Sequence, residues 1–320
     1  MAVAFVFPGQ GSQVVGMGKA LAESFPVARA VFDEVDSALS QKLSTLMWDG
    51  PEAELTLTAN AQPAIMSVSM AVLAVLKAEH DVTVANTVRF VGGHSLGEYS
   101  ALAAAGTFSL SDTARLLRIR GNAMQSATPV GIGAMAAILA LDFDDVAAIA
   151  ADAAQGEVCQ AANDNSAGQV VISGHKAAVD RACELAKARG AKRAILLPVS
   201  APFHCALMQP AADAMAEALQ TVTMHAPSVP VIANVAAGPI SDVADIRKRL
   251  VEQVTGTVRW RECVGYMAAQ GVNLFCEVGT GKVLTGLLKK NAPDAQGLAL
   301  GTPDDIAAAA VILKQGSFDV

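Results

Sequence analysis

Aromatic residues are scarce in this 320-residue chain, which has two tryptophans, two tyrosines and 4% aromatics in all. Its 52% of hydrophobic residues must therefore build a core from Ala, Val, Leu, Ile and Met, and with 17% charged residues that composition excludes a disordered chain. Cysteine is sparse too. Cys159, Cys183, Cys205, Cys263 and Cys276 are scattered, odd in number and without a Cys-x-x-Cys pair. That excludes a disulfide framework and a structural zinc site and predicts buried thiols. Basic charge is short: 23 Lys and Arg stand against 30 Asp and Glu, a net charge of -7, which excludes non-specific nucleic-acid binding. Long apolar runs are missing, since Ile132 to Leu141 covers about half of a bilayer span, so a soluble, cytoplasmic protein with no membrane partner is expected. The start, Met1 to Phe7, has no basic residue and runs into Pro8-Gly9, which reads as a first buried strand rather than a signal peptide.

Against these absences stands Gly93-His94-Ser95-Leu96-Gly97, directly after the apolar Val88-Arg89-Phe90-Val91. A serine on a sharp strand-to-helix turn sits in a strained backbone conformation, and only glycines before and after it let the chain double back. The following Leu96 to Ala105 is rich in good helix formers and Gly106 is placed to end it. Ser95 is thus a candidate nucleophile.

Strand-like runs alternate with helical ones: Val3 to Phe7, Ala20 to Leu39, Pro63 to Glu79, then Arg89 to Val91 into the turn. This alternation predicts an α/β fold with a mostly parallel sheet, hydrolase-like, covered by helices. From about Gly131 the order becomes strand Met135 to Leu141, helix Asp144 to Ala153, strands Val158 to Ala162 and Gln169 to Ser173, helix Lys176 to Arg189, and strand Ala194 to Leu197. β-α-β-β-α-β is the ferredoxin-like pattern, and Asn163 to Gly168 reads as the hairpin turn between its central strands. After it come a helix Gln209 to Gln220, a strand Val229 to Asn234, a helix Val243 to Gln253 and a strand Asn273 to Val278. The expected division is a large domain from residues 1–128 and 199–320 with a small ferredoxin-like subdomain, 129–198, inserted, and a substrate cleft between them.

A serine needs a base. Of His80, His94, His175, His204 and His225, the candidate is His204, because Ser200-Ala201-Pro202-Phe203-His204 follows a strand at the return to the large domain. His94 neighbours the serine, but adjacent residues in such a turn point apart; His80 and His225 read as surface, and His175 as a helix start. The carboxylates between Ser95 and His204, among them Asp112, Asp142, Asp164 and Asp180, read as helix caps and turns rather than as a third triad member. Gly9-Gln10-Gly11-Ser12-Gln13 follows the first strand without phosphate-loop or dinucleotide spacing, and suits backbone N–H groups that stabilise an oxyanion together with the N–H of Leu96. Of the three arginines in Arg115 to Gly121, one near the serine would hold a substrate carboxylate as a planar fork, while Arg115 and Arg118 read as solvated.

Gly9 to Gln13, Gly93 to Glu98, Arg120 to Gln125, Pro202-Phe203-His204, and Gln253 with Val258-Arg259-Trp260 together resemble the malonyl-CoA:acyl-carrier-protein transacylases of fatty acid synthesis, over nearly the whole chain. The resemblance implies ping-pong acyl transfer. Ser95 would be the nucleophile, His204 the base, the main-chain carbonyl of Gln253 its orienting group, the N–H groups of Gln10 and Leu96 the oxyanion hole, and Arg120 the malonyl carboxylate binder. Asn163 and Phe203 would line the cleft, the phenylalanine matching malonyl rather than branched acyl selectors; Asn163 is followed here by Asp164 before Asn165. No cofactor and no metal is implied, because the carrier protein brings its own phosphopantetheine. The acidic carrier is expected at Lys289 and Lys290, with Lys192 and Arg193 the lesser candidate. The alternatives are a stand-alone acyltransferase of a polyketide synthase, a serine thioesterase or esterase, and a non-catalytic carrier-docking module.

Overall fold

The computed structural model describes residues 1–199 and 201–315, so that Ser200, in the loop before His204, lies outside the described residues. In chain order its strands are β1 (Val3–Phe7), β2 (Phe90–Gly93), β3 (Gly133–Leu139), β4 (Cys159–Ser166), β5 (Gln169–His175), β6 (Arg193–Leu196), β7 (Val231–Ala233), β8 (Gly238–Ile240), β9 (Leu274–Val278) and β10 (Gln296–Leu300). Six form one sheet in the order β10-β9-β1-β2-β7-β8, parallel except for the β7–β8 pair. β1 is buried at every residue and apolar on both faces, as a central parallel strand covered by helices on each side must be. Its register with β2 sets Phe7 opposite Gly93, so the loops leaving the two strands open side by side. In open parallel sheets this carboxyl edge is where ligands bind.

The other four strands form an antiparallel sheet, β4-β5-β3-β6, which with helices Phe143–Ala154 and Lys176–Ala188 makes the ferredoxin-like unit. The two-residue period of its strands divides their side chains between two cores. Ala136, Ile138, Val170 and Ile172 pack with the helices of the unit, whereas Met135 and Val171 face the large core.

Several elements differ from the sequence reading. The helical stretch from Ala20 to Leu39 is two helices, Lys19–Ser24 and Pro26–Leu39, split by extended Phe25; proline disfavours the α conformation before it and is well placed to open the next helix. Asn163 to Ser166 are not a turn but the end of β4, which passes two register shifts and leaves only Ala167 and Gly168 to make the hairpin. Two of those polar residues, Asp164 and Asn165, are held in the strand by side chains outside the unit, Arg261 and His94. β8, β10 and the short helices Leu43–Asp49 and Glu52–Leu55 had no expectation. One helix, Thr58–His80, is after all long and apolar enough to cross a membrane by length and composition, but 78% of its apolar window is buried within the protein, as a core helix. All five cysteines are buried and free.

β4 also ties the small unit to the large domain. Asn163 bridges to Val258, with Asp164 N–H donating to the Val258 carbonyl and Val258 N–H to that of Ala162, each at 2.9 Å. The buried Asp164 carboxylate pairs with Arg261 at 2.8 Å.

Candidate active site

Ser95 sits between β2 and the helix Gly97–Ala104 with φ 54°, in the left-handed region. The glycines around it are needed for space: a Cβ on Gly93 would lie 1.9 Å from the Gly97 carbonyl oxygen, and one on Gly97 would lie 2.3 Å from that of Phe7. The Asn234 side chain clamps the turn, accepting from the Ser95 N–H at 2.8 Å and donating to the Gly93 carbonyl at 2.7 Å.

His204, also left-handed with φ 57°, brings Nε2 within 2.8 Å of Ser95 Oγ. Its Nδ1 lies 2.8 Å from the Gln253 main-chain carbonyl. A carbonyl can only accept, so Nδ1 carries the proton and Nε2 is free to take the serine proton. No carboxylate enters this chain of contacts. Burial first, and then the Arg120 charge, push the His204 pKa down to about 3, which keeps the imidazole neutral.

Arg120 is 1% exposed. Its helix, Leu110–Ser126, comes close enough because of Gly121, where a Cβ would meet the Thr58 carbonyl oxygen at 2.7 Å. Nη1 donates to Gln62 Oε1 at 2.9 Å, while Nη2 donates to Gln253 Oε1 at 2.8 Å and to Ser95 Oγ at 3.1 Å. The guanidinium also lies 5.5 Å from the Tyr99 ring centre. Burial lowers its pKa, and its hydrogen-bonding partners are all neutral. A buried cation with only neutral acceptors, aimed at a nucleophile, fits a ligand that brings its own negative charge.

These side chains line a cleft of about 350 Å³ between the two sheets, with Gln10, Leu96, Met135, Asn163, Val171 and Phe203. The backbone N–H groups of Gln10 and Leu96 have no hydrogen-bond partner among the described residues, whereas the Gln10 side chain donates to Thr58 at 3.3 Å. Asn163 faces the cleft with a buried, unpartnered Oδ1, while Asn165 Oδ1 accepts from His94 Nε2 at 2.8 Å. His94 also lines the cleft, but its ring bonds Asn165 rather than Ser95 and lies edge-on to Trp260. Arg118 is not simply solvated, since it donates to Asn60 and Gln41. Lys289 and Lys290 are exposed at the end of helix Val283–Asn291, which reaches the small unit through Asn291 Nδ2 on the Asn165 carbonyl. A larger depression of about 1040 Å³, lined by His80, Val88 and Arg89 among others, shares no residue with the cleft and contains neither serine nor cysteine. No group of three or more His, Cys, Asp or Glu suited to a metal occurs among the described residues.

Gln62, Asn234 and Glu98 escaped the sequence reading. Asn234 ends the strand expected at Val229 to Asn234, and Glu98 belongs to the serine motif, but nothing in a single sequence tells that they meet.

The family model for the acyl transferase domain matches residues 4–311. A malonyl CoA-acyl carrier protein transacylase of Bacillus subtilis (strain 168) is 47% identical over 98% of this chain and 98% of its own length. The crystal structure of an acyl-carrier-protein-S-malonyltransferase from Bartonella henselae superposes with a TM-score of 0.96 at 59% identity, covering 98% of this chain and all of that one. A malonyl-transacylase solved in complex with its type II polyketide synthase acyl-carrier protein is 41% identical, with a TM-score of 0.94 over 98% of this chain and all of that one.

Proposed function

This chain belongs to the acyl transferase domain family, and from that premise we propose that it is an acyl-carrier-protein S-malonyltransferase of fatty acid biosynthesis. It moves malonyl from malonyl-CoA to the phosphopantetheine thiol of acyl carrier protein through a malonyl-serine. In our reading His204 Nε2 takes the Ser95 proton as Oγ attacks the thioester carbonyl. The oxyanion that forms is met by the Gln10 and Leu96 N–H groups, which point to no other acceptor. The coenzyme A thiolate leaves with the proton from His204, and the carrier thiol then reverses the sequence. Arg120 holds the malonyl carboxylate, its guanidinium kept in place by the neutral amide acceptors Gln62 and Gln253. No cofactor or metal enters this scheme, and we place the enzyme in the cytoplasm.

The observation that carries the reading is the contact of Arg120 Nη2 with Ser95 Oγ at 3.1 Å, a buried guanidinium at the nucleophile of a Ser-His pair. A thioesterase pocket for apolar acyl chains would give that buried cation no substrate carboxylate to hold. Carrier docking we assign to Lys289 and Lys290, beside the helix end that touches β4.

Intact mass after brief mixing with malonyl-CoA, beside acetyl-CoA and Ser95→Ala, tests the scheme. We expect a malonyl adduct on the parent protein, little with acetyl-CoA and none on Ser95→Ala. Steady release of coenzyme A with no adduct would instead establish hydrolysis.

A further inference from the structure

Glu98 closes the serine motif, and the scheme above gives it no part. It is wholly buried, a position glutamate seldom takes without partners. One of its oxygens, Oε2, accepts from two donors: the Asn234 backbone N–H at 3.0 Å and Gln253 Nε2 at 2.7 Å. The other, Oε1, has no partner among the described residues.

Each donor leads to one half of the reacting pair. Asn234 holds the Ser95 N–H with its side chain, and Gln253 holds His204 with its main-chain carbonyl. The Gln253 side chain does more. Its Nε2 also donates to the Ser95 carbonyl at 3.0 Å, and its Oε1 accepts from Arg120. Oε2 already accepts a backbone N–H and so carries no proton of its own; it therefore requires the amide nitrogen to face it and thereby turns the amide oxygen to the guanidinium. A buried carboxyl is a poor choice for filling a core, and burial pushes the pKa of this one up to about 7 against its hydrogen bonds and the Arg120 charge.

We propose that Glu98 is a positioning residue: through Oε2 it holds Asn234 and Gln253, and so keeps Ser95, His204 and Arg120 in one register. The proposal rests on the malonyl-serine reading. Its content is that the acceptor oxygen, and not bulk or packing, is what the site uses.

Glu98→Met keeps length and removes the acceptor, while Glu98→Gln returns an acceptor oxygen without the charge. Glu98→Asp, which draws the oxygen back by one carbon, serves if the Met variant does not fold. Rapid-quench malonylation is read by intact mass, per folded molecule as judged by near-ultraviolet circular dichroism. Met and Asp should acylate about a hundredfold more slowly, the loss expected from misplacing reacting groups by about an ångström. Their preference for malonyl over acetyl should fall as well, because Arg120 loses its fixed acceptor, and Gln should recover most of both. Lower melting temperature with unchanged acylation and preference in Met and Asp would reduce Glu98 to packing and overturn the proposal. So would a Gln variant as slow as Met, which would assign the effect to charge. Absence of any adduct on the parent protein would overturn the malonyl-serine reading and this inference together, whereas an adduct on the parent with unimpaired variants overturns the inference alone.

Discussion

Two of the site's titrating residues oppose each other in their effect on stability. Glu98 has its pKa raised from 4.5 to about 7 by burial, so the native protein binds the extra proton. Its stabilisation is full below about pH 4.5 and is lost as pH rises toward 7. His204 is lowered from 6.5 to about 3, so its contribution is full above 6.5 and is lost as pH falls toward 3. Between these limits the slopes cancel in part. Glu98→Gln should therefore make unfolding free energy rise more steeply with pH across about 4.5 to 6.5, by up to about 1.4 kcal/mol per unit, which urea denaturation at pH 5 and 6.5 reads directly. An identical slope in both proteins would show that Glu98 does not titrate there. Arg120→Ala should lower malonylation about a hundredfold, the worth of two charge-assisted hydrogen bonds of about 1.5 kcal/mol each, while acetyl transfer falls less. Paired adduct measurements with the two donors check it; an unchanged ratio removes Arg120 from selection. At this scale the sequence named residues that do come together, because Ser95 and His204 each sit in a local context with a physical signature. It did not name Gln62, Asn234 or Glu98, whose partners lie 58 to 155 residues away along the chain.

Elements were legible where periodicity was strong and illegible where polarity misled. β1, β2 and the helix after Ser95 read correctly from apolar runs and glycines. Asn163 to Ser166 resembled a turn because Asn, Asp and Ser favour turns when their side chains must bond their own backbone. Here Asp164 bonds Arg261 instead, and Asn165 bonds His94. The Asp164–Arg261 pair joins β4 to the helix Trp260–Ala269, with the carboxylate buried and the guanidinium part-exposed. Arg261→Ala leaves that carboxylate without its partner and should cost about 1 to 3 kcal/mol in chemical denaturation. A loss below a few tenths would show that water replaces the guanidinium without penalty. The glycine elbow is stricter. Gly97→Ala, whose Cβ would fall inside van der Waals distance of the Phe7 carbonyl, should abolish malonylation even where the protein still folds. A variant that acylates at the parent rate would show that β1 can retreat.

For the whole molecule, the order β-α-β-β-α-β identified the inserted unit, yet nothing in it foretold how the unit docks, since the bridge to Val258 joins segments almost a hundred residues apart. Docking matters because the small sheet supplies one wall of the cleft through Met135, Asn163 and Val171. Carrier encounter belongs to this scale too. Reversing Lys289 and Lys290 to Glu should raise the KM for carrier at low salt, with little change at high salt or in acylation by malonyl-CoA. A KM that does not move would place the docking surface elsewhere. The five buried cysteines acquire a meaning in this light. Any accessible thiolate is chemically equivalent to the acceptor that the reaction seeks, and would drain acyl groups from coenzyme A by thioester exchange. Burial pushes all five thiols up, Cys159 and Cys276 to about 12, and keeps them protonated. The protein thus keeps its own sulfur out of exchange with the thioesters it handles.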